Sequence, residues 1–322
     1  MRDIRELVVL SGKGGTGKTS LVGALAALLP EKVICDADVD AADLHLLLRP
    51  EVRERHDFYA GHKAVIDADR CVQCGECLHW CRFGAISESL VINPLLCEGC
   101  GVCWYLCPAG AIDFPDNLCG EWFVSDTRFG ALVHARLGIA EENSGKLVSL
   151  ARREARRLAE VQGKSWILTD GPPGIGCPVI SSLGDADAVL IITEPSIAGH
   201  HDLERVAALA GHFGLPVWVL VNKADLHWQT AEKISQFCVK MGYGFLGFLP
   251  FNKDFTRAQV EGKTIMEYHN KKLQALLQEV WERLLSEING RKPQGMAQRL
   301  AQTGSAPAPE ARHTSLPRPK SS

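Results

Sequence analysis

The chain has 322 residues, a formal net charge of -3 and a hydrophobic content of 46%. This length suits one large domain or one domain with an insertion, and the weak charge does not favour nucleic acid as a partner. The apolar run near the N-terminus is too short for a signal peptide, and no stretch reaches the roughly 18 apolar residues of a membrane helix. We therefore expect a cytoplasmic protein without membrane or nucleic-acid partners, in which a content of twelve cysteines indicates metal binding rather than disulfides.

Six short apolar segments, each followed by a polar turn, predict buried strands. They lie at residues 7–10, 32–38, 165–174, 188–196, 216–225 and 244–250. Helical patterns occur at residues 21–29, 145–162, 200–213, 229–241 and 268–287. This alternation predicts an α/β fold with a mostly parallel sheet.

The alternation stops between about Asp57 and Asp116, where most of the cysteines lie. We interpret this stretch as a domain inserted at a loop, where additions are tolerated. The predicted division is an α/β domain in two parts, an inserted α+β domain and a disordered tail rich in Gly, Pro, Ser, Ala and Gln. The corresponding ranges are 1–56 and 119–289 for the α/β domain, 57–118 for the insertion and 290–322 for the tail.

A glycine-rich loop follows the first predicted strand. Its sequence, GKGGTGKT from Gly12 to Thr19, fits the pattern G-x-x-x-x-G-K-[ST] and lies between a strand and a helix. In this pattern backbone N–H groups surround phosphate oxygens, and the N-terminus of the next helix points at them. We expect Lys18 to contact the β- and γ-phosphates and Thr19 to help to bind Mg²⁺. The residues predicted to surround the phosphates are Gly12, Gly14, Gly15, Thr16, Gly17, Lys18, Thr19 and Ser20.

The loop contains a second lysine, Lys13, directly after its first glycine. The form K-G-G-x-G-K-[ST] resembles the modified phosphate loop of the MinD/ParA/Mrp and nitrogenase-iron-protein group of P-loop ATPases. The resemblance implies an ATP-hydrolysing homodimer in which Lys13 crosses the interface to the nucleotide of the partner subunit. Charge reasoning alone leaves another interpretation open, an exposed lysine without a partner.

Other segments match the same group in order. By resemblance, Asp36 lies near the Mg²⁺ shell and Asp38 orients the attacking water, so that Lys13, Lys18 and Asp38 are the expected catalytic residues. Carboxylates suit these roles because Mg²⁺ prefers oxygen ligands and the water needs an acceptor, although acids in one loop can also form a solvated turn. The further residues implied are Asp170 as the Walker B acid, Asn222 as a contact of adenine, and Pro250, within the stretch Leu249–Phe251, beside the adenine ring.

Eight cysteines form two runs with the spacing C-x₂-C-x₂-C-x₃-C. These runs resemble those of bacterial two-cluster ferredoxins, in which the fourth cysteine of each run binds the other cluster. Structural zinc is an alternative, but this spacing suits a tetrahedral site poorly. The resemblance implies one [4Fe–4S] cluster on Cys71, Cys74, Cys77 and Cys107, and a second on Cys81, Cys97, Cys100 and Cys103.

Four cysteines lie outside the two runs. We expect Cys35, Cys177 and Cys238 to be small buried apolar residues. Cys177 follows Asp170 at an offset that resembles a cluster ligand of the nitrogenase iron protein. A third cluster shared between two subunits would need a second cysteine from each, and Cys119 is the remaining candidate.

Together these patterns predict an ATPase in which nucleotide-driven dimer switching controls electron transfer through two [4Fe–4S] clusters to an unidentified redox partner. The alternative is an assembly or carrier ATPase that passes clusters to an accepting protein, although the C-terminal C-x-x-C of Mrp-type carriers is absent. A membrane-binding positioning ATPase is disfavoured because the tail lacks an amphipathic apolar face.

Overall fold

A computed structural model describes residues 4–290. Its strands are β1 (Arg5–Ser11), β2 (Lys32–Asp36), β3 (Glu51–His62), β4 (Val65–Ile66), β5 (Ile112–Asp113), β6 (Asp116–Thr127), β7 (Gly130–Leu137), β8 (Trp166–Pro173), β9 (Ala188–Thr193), β10 (Val217–Val221) and β11 (Gly244–Phe248). Its helices are α1 (Lys18–Leu28), α2 (Leu44–Leu48), α3 (Glu76–Trp80), α4 (Val102–Leu106), α5 (Ser144–Gln162), α6 (Cys177–Leu183), α7 (Ile197–His212), α8 (Trp228–Met241), α9 (Asp254–Val260) and α10 (Lys271–Asn289). All the strands and helices predicted from the sequence are present. The segment predicted to be disordered, 290–322, lies outside the described residues except for Gly290.

A nine-stranded sheet forms the centre of the molecule, in the order β11-β10-β9-β1-β8-β2-β7-β6-β3. The strands from β11 to β7 run parallel to one another, whereas β6 pairs antiparallel with β7 and with β3. All but the first residue of β1 are buried, as expected for a central parallel strand covered on both faces. The predicted α/β fold with a mostly parallel sheet is confirmed.

Helices cover both faces of the sheet because successive strand side chains point in opposite directions. On one face, Leu7 of β1 belongs to a core that includes Leu25 of α1 and Leu277 of α10. On the other face, Val8 belongs to a core that includes Leu203 of α7. The two layers hold the carboxyl ends of the parallel strands at one edge of the sheet, where ligands bind in open α/β folds.

Three strands of the nine-stranded sheet, β3, β6 and β7, were not predicted from the sequence. β3 lies at the edge of the sheet, where its charged side chains are exposed and form no apolar pattern. The predicted domain boundaries at residues 56/57 and 118/119 fall inside β3 and β6, which pair with each other from Glu51–Asp126 to His62–Asp116. Residues 63–115, called the insert below, therefore extend from the end of an antiparallel strand pair.

The insert consists of two similar halves. Helix α3 begins after Gly75 (φ 77°) and α4 begins after Gly101 (φ 75°), a left-handed conformation that favours glycine. These two helices contact each other, and β4 pairs antiparallel with β5. A small core of Ala64, Cys77, Ile86 and Ile112 joins the halves.

Candidate nucleotide and cysteine sites

The glycine-rich loop connects the buried end of β1 to the start of α1. Gly15 (φ 81°) and Gly17 (φ 92°) have left-handed conformations. A Cβ atom on Gly17 would lie 2.5 Å from Nδ2 of Asn222. This amide group donates a hydrogen bond to the carbonyl oxygen of Thr16 (2.8 Å). Asn222, which follows β10, therefore holds the loop in place.

Lys18, the first residue of α1, faces carboxylates at the ends of β2 and β8. Its Nζ atom lies 2.6 Å from Oδ1 of Asp170 and 3.4 Å from Oδ2 of Asp38. Asp36 is the register partner of Asp170 on the neighbouring strand, and both are fully buried. The Asp36 carboxylate accepts hydrogen bonds from the backbone N–H groups of Asp38 (3.2 Å) and Leu44 (3.3 Å). The structure thus brings these four predicted residues into one cluster.

The acids of this cluster outnumber its lysine. Burial raises the pKa of Asp36 well above its ordinary value, and the Asp170 carboxylate raises it further. Burial also raises the pKa of Asp38, against the opposing effect of Lys18. For Lys18, burial alone would lower the pKa, but Asp170 and Asp38 outweigh it and hold the pKa above its ordinary value. Such an excess of carboxylates favours the binding of a further cation.

A cavity of about 400 Å³ opens above the loop. Within the predicted stretch Leu249–Phe251, Phe251 lines it and Pro250 does not. The backbone N–H group of Phe251 donates to Oδ1 of Asp225 (2.6 Å). Gly12 does not line the cavity either. It packs closely against Asp202, since a Cβ atom at Gly12 would lie 2.2 Å from Cβ of Asp202. The predicted residues that do line it are Gly14, Gly15, Thr16, Gly17, Lys18, Thr19, Ser20, Asp38 and Asn222. Lys223 and Asn252 also line it. Lys223 directly follows the predicted Asn222 in the sequence, and this position is a signal from which it could have been found.

Lys13 points away from the cavity. Its Nζ atom lies 2.6 Å from Oε1 of Glu194 and 3.5 Å from Oγ of Ser196, both located after β9. The interpretation of Lys13 as a lysine without a partner is therefore wrong. Sequence reasoning assigned no role to Glu194, because its partner lies far away along the chain.

Two polar side-chain atoms at the site are buried without a hydrogen-bond partner among the described residues. They are Oγ1 of Thr16 and Oδ2 of Asp170. Leaving such an atom unpaired costs about 1–3 kcal/mol, so both atoms favour a ligand. The Thr16 hydroxyl can donate to a phosphate oxygen, and Asp170 with Thr19 can hold hydrated Mg²⁺. The residues present therefore fit a nucleotide phosphate group with its metal ion.

The insert brings cysteines of both runs together. One small pocket is lined by Cys81 of the first run and by Cys97, Cys100 and Cys103 of the second. In the first run, the pKa of Cys77 is raised mainly by burial and also by the neighbouring Cys71 and Cys74. Cys107 packs against the same small core as Cys77, and its Sγ atom accepts a hydrogen bond from the backbone N–H of Ala111 (3.3 Å).

These thiols are not arranged around a single ion. Within residues 4–290, no three or more His, Cys, Asp or Glu side chains are placed so that they could hold a metal ion. The two [4Fe–4S] sites therefore stay predictions.

The remaining cysteines differ in exposure. Cys35 and Cys238 are fully buried, as predicted. Cys177 is exposed at the start of α6, so its predicted burial is wrong. Cys119 is fully buried in β6 and its thiol donates to the carbonyl oxygen of Ala60 (3.0 Å). This burial removes the second ligand that a cluster shared between subunits would need.

Among the helices of residues 4–290, none is both long and apolar enough to span a bilayer.

The parallel sheet and the phosphate loop define a P-loop nucleotide-binding protein. The family model described as the CobQ/CobB/MinD/ParA nucleotide binding domain matches residues 7–265, and the chain belongs to this family. An uncharacterized protein of Methanocaldococcus jannaschii is 31% identical over 287 residues, which cover 87% of this chain and 96% of the relative.

Solved structures of MinD proteins have the same fold. The septum site-determining protein MinD of Pyrococcus horikoshii, complexed with Mg-ADP, superposes with a TM-score of 0.55 at 16% identity, over 90% of this chain and 100% of its own. The cell division ATPase MinD of Pyrococcus furiosus superposes with a TM-score of 0.54 at 17% identity, over 88% of this chain and 99% of its own. The chain therefore has the fold of MinD/ParA-type P-loop ATPases.

Proposed function

We propose that the protein hydrolyses ATP as a homodimer and thereby controls electron transfer through two [4Fe–4S] clusters bound by the insert. The observation that carries the redox half of this proposal is the pocket shared by Cys81 with Cys97, Cys100 and Cys103. The ATPase half depends on the family, the fold and the Lys18–carboxylate cluster.

The nucleotide cavity supplies the groups that phosphoryl transfer to water requires. Lys18 is paired with Asp170 and Asp38, and phosphate oxygens would replace these carboxylates as its partners. Asp38, which lines the cavity, is then free to orient the attacking water. Thr19 and Asp170 would hold Mg²⁺, which would supply positive charge against that of the phosphates.

The cysteine pocket fits a cluster better than a single zinc ion. Zinc needs its four ligands around one point, whereas the cysteines of a cube each bind a different iron atom and are spread around it. Apolar side chains, including those of Ile92 and Phe114, also line the pocket and would limit the access of water to a cluster. Clusters bound there would supply one-electron redox chemistry.

Hydrogen bonds connect the nucleotide site to the insert. Val39, next to Asp38, accepts a backbone hydrogen bond from Leu137 (3.1 Å), and the next residue, Gly138, donates to the carbonyl oxygen of Cys119 (2.7 Å). A change in the position of Asp38 would therefore reach β6 and β7, the strands beside the insert.

The side chain of Glu141 completes this connection. Its Oε1 atom lies 2.7 Å from Nζ of Lys63, the first residue of the insert, and its Oε2 atom accepts a hydrogen bond from Asn117 (2.6 Å). These contacts support a coupling between the nucleotide state and the setting of the insert.

A second candidate function is cluster assembly or delivery by the same ATPase. The exposure of Cys74 and Cys100 favours it, because an accepting protein could reach these ligands. Reversible reduction with retained iron would support electron transfer, whereas rapid movement of iron and sulfide to an apo acceptor protein would support delivery.

The nucleotide assignment is tested with Lys18→Ala. The variant should lose binding of MgATP, measured by calorimetry, because it lacks the charged group of Lys18 that contacts the phosphates. ATP turnover that survives this change would refute the assignment.

The crossed cluster assignment is tested by electron paramagnetic resonance after anaerobic purification. The wild type should contain about eight irons per chain. Cys81→Ser should abolish the same signal as Cys100→Ser, and Cys107→Ser the same signal as Cys74→Ser; Cys177→Ser is the control with both signals intact. Pairing of Cys81 with Cys74 instead would refute the crossed arrangement, and zinc in place of iron would refute the redox function.

Coupling is tested with Glu141→Gln. The rate at which the reduced wild type passes electrons to a dye should depend on MgATP, and the variant should lose this dependence while still hydrolysing ATP. Glu204→Gln is the control, because Glu204 is an exposed residue of α7 that pairs with His200, outside this path. Equal ATP dependence in both variants would contradict the proposed path.

A further inference from the structure

Glu194 lies where β9 ends, beside the glycine-rich loop, because β9 is the parallel neighbour of β1. Its two carboxylate oxygens have different partners. Oε1 lies 2.6 Å from Nζ of Lys13, and Oε2 lies 3.3 Å from Nζ of Lys223. One carboxylate therefore joins two lysines that are distant in sequence.

Each lysine is fixed to the loop in a further way. Lys223 donates a hydrogen bond from Nζ to the carbonyl oxygen of Gly15 (2.6 Å). The carbonyl oxygen of Lys13 accepts a hydrogen bond from the hydroxyl of Ser11 (2.9 Å). The contacts of Glu194 thus determine where the Lys13 side chain points, while the backbone of the loop is held separately.

The Lys13–Glu194 pair is partly shielded from water. The side chain of Glu194 is 19% exposed and that of Lys13 is 36% exposed. Burial alone would raise the pKa of Glu194, but hydrogen bonds from Lys13 and Lys223 outweigh it and hold the pKa below its ordinary value. The carboxylate is thus charged at neutral pH and competes with any other anion for Lys13.

Lys13 stays outside the nucleotide cavity in this arrangement, whereas Lys223 lines it. We infer that Glu194 is a positioning residue, which retains Lys13 outside the cavity until the phosphates of ATP compete for it. This inference rests on the proposed ATP function, since the competing anion is the triphosphate. It gives a role to Glu194, for which the sequence had indicated none.

The strength of the pair determines the size of the effect. A partly exposed ion pair is worth up to about 1 kcal/mol, which corresponds to about a three- to five-fold change in affinity. Removing the charge of Glu194 removes the competition for Lys13, so nucleotide binding should become tighter. Loss of the Lys223 contact acts in the opposite direction, and a single variant cannot separate the two effects.

A double-mutant cycle separates them. The variants are Glu194→Gln, Lys13→Gln and the double variant, and the probe is a non-hydrolysable ATP analogue with Mg²⁺, titrated by calorimetry. The effect of Glu194→Gln on affinity is measured once with Lys13 present and once in the Lys13→Gln background. With Lys13 present, the change should favour binding of the analogue about three- to five-fold more than it does in the Lys13→Gln background. Glu194→Asp, which keeps the charge, should resemble the wild type more closely than Glu194→Gln does. Glu204→Gln, an exposed glutamate on α7, is the matched control and should leave the affinity unchanged.

A second measurement uses the protein without nucleotide. An amine-reactive reagent, followed by mass spectrometry, should label Lys13 faster in Glu194→Gln than in the wild type or in Glu204→Gln. This readout reports the position of Lys13 directly and does not depend on nucleotide affinity.

The outcomes distinguish the two proposals. If the analogue binds normally but the cycle is additive and the labelling rates are equal, the role of Glu194 is refuted while the ATP function stands. If the wild type does not bind the analogue at all, the proposed ATP function is refuted, and this inference with it.

Discussion

Replacement of Asp36 by asparagine should stabilise the nucleotide-free protein while it removes the response to Mg²⁺. Asp36 and Asp170 are register partners on neighbouring strands, and both are fully buried. Strands lie about 4.8 Å apart, and two charges at that separation repel by about 3 kcal/mol at an effective dielectric constant of 20. Asparagine weakens the hydrogen bonds from Asp38 and Leu44, at a loss of about 1 kcal/mol. The net gain at pH 7 is therefore about 2 kcal/mol, or roughly 4 °C in Tm.

The pH dependence has a definite sign. The pKa of Asp36 is raised in the folded chain, mainly by burial, above the value of about 3.9 in the unfolded chain. Between these two pKa values the folded chain binds more protons, so wild-type stability falls as pH rises through this window. The asparagine variant lacks this titration, and its advantage should shrink as pH is lowered towards 4.

The assay is thermal unfolding of the metal-free protein from pH 4 to pH 8, repeated at pH 7 with MgADP. Asp40→Asn is the matched control, because Asp40 is exposed in the same loop. Wild type and control should be stabilised by MgADP more than Asp36→Asn is. A variant that melts below the wild type at pH 7 without ligand, or whose pH profile is parallel to that of the wild type, would refute the reasoning.

Further changes test other parts of the structure. Arg152→Met should lower the free energy of unfolding, measured in urea, by about 3 kcal/mol. The reason is that the buried Glu6 carboxylate, 2.8 Å from Arg152 Nε, loses its main partner. The control Arg153→Met, at an exposed position, should change the free energy of unfolding by less than about 0.5 kcal/mol. Gly17→Ala should weaken nucleotide binding about ten-fold in calorimetry, since the new Cβ atom would displace Asn222, whereas Gly211→Ala, with no atom nearby, should be neutral or stabilising. Lys32→Met should raise the Tm at pH 7, and by a smaller amount near pH 10. Burial lowers the pKa of Lys32 to about 8, so that above this pH the folded chain binds fewer protons than the unfolded chain. The cost of burying the charged lysine is therefore complete below pH 8 and decreases above it. A gain that is the same at both pH values would contradict this assignment.

Local patterns were sufficient for the central part of the fold. The strands β1, β8, β9 and β10 are short runs of buried apolar residues, and helices α5 and α10 carry an apolar stripe at helical spacing. These signals lie within a few residues of one another in sequence, so they can be read without knowledge of the fold. The phosphate loop is local for the same reason, and its cavity contains most of the residues predicted for it.

Pairing between distant segments could not be read in this way. β3 has a charged sequence, and it becomes a strand because β6, far along the chain, provides its hydrogen-bond partners. The same pairing places the predicted boundaries at 56/57 and 118/119 inside paired strands. The burial of Cys119 and the exposure of Cys177 also depend on which elements cover them, and not on the residues beside them in sequence.

The sequence by itself determined the nucleotide-binding class, the central parallel strands and the spacing of the eight cysteines, because each of these is encoded by neighbouring residues. Only the tertiary structure decided which distant groups meet, as it does for Asp36 with Asp170 and for Lys13 with Glu194. The reason is physical, since side-chain contacts are set by the order of strands in the sheet and by the turns at their ends. The partner of Lys13 is known only from the tertiary structure, and the proposed control of ATP binding depends on this partner.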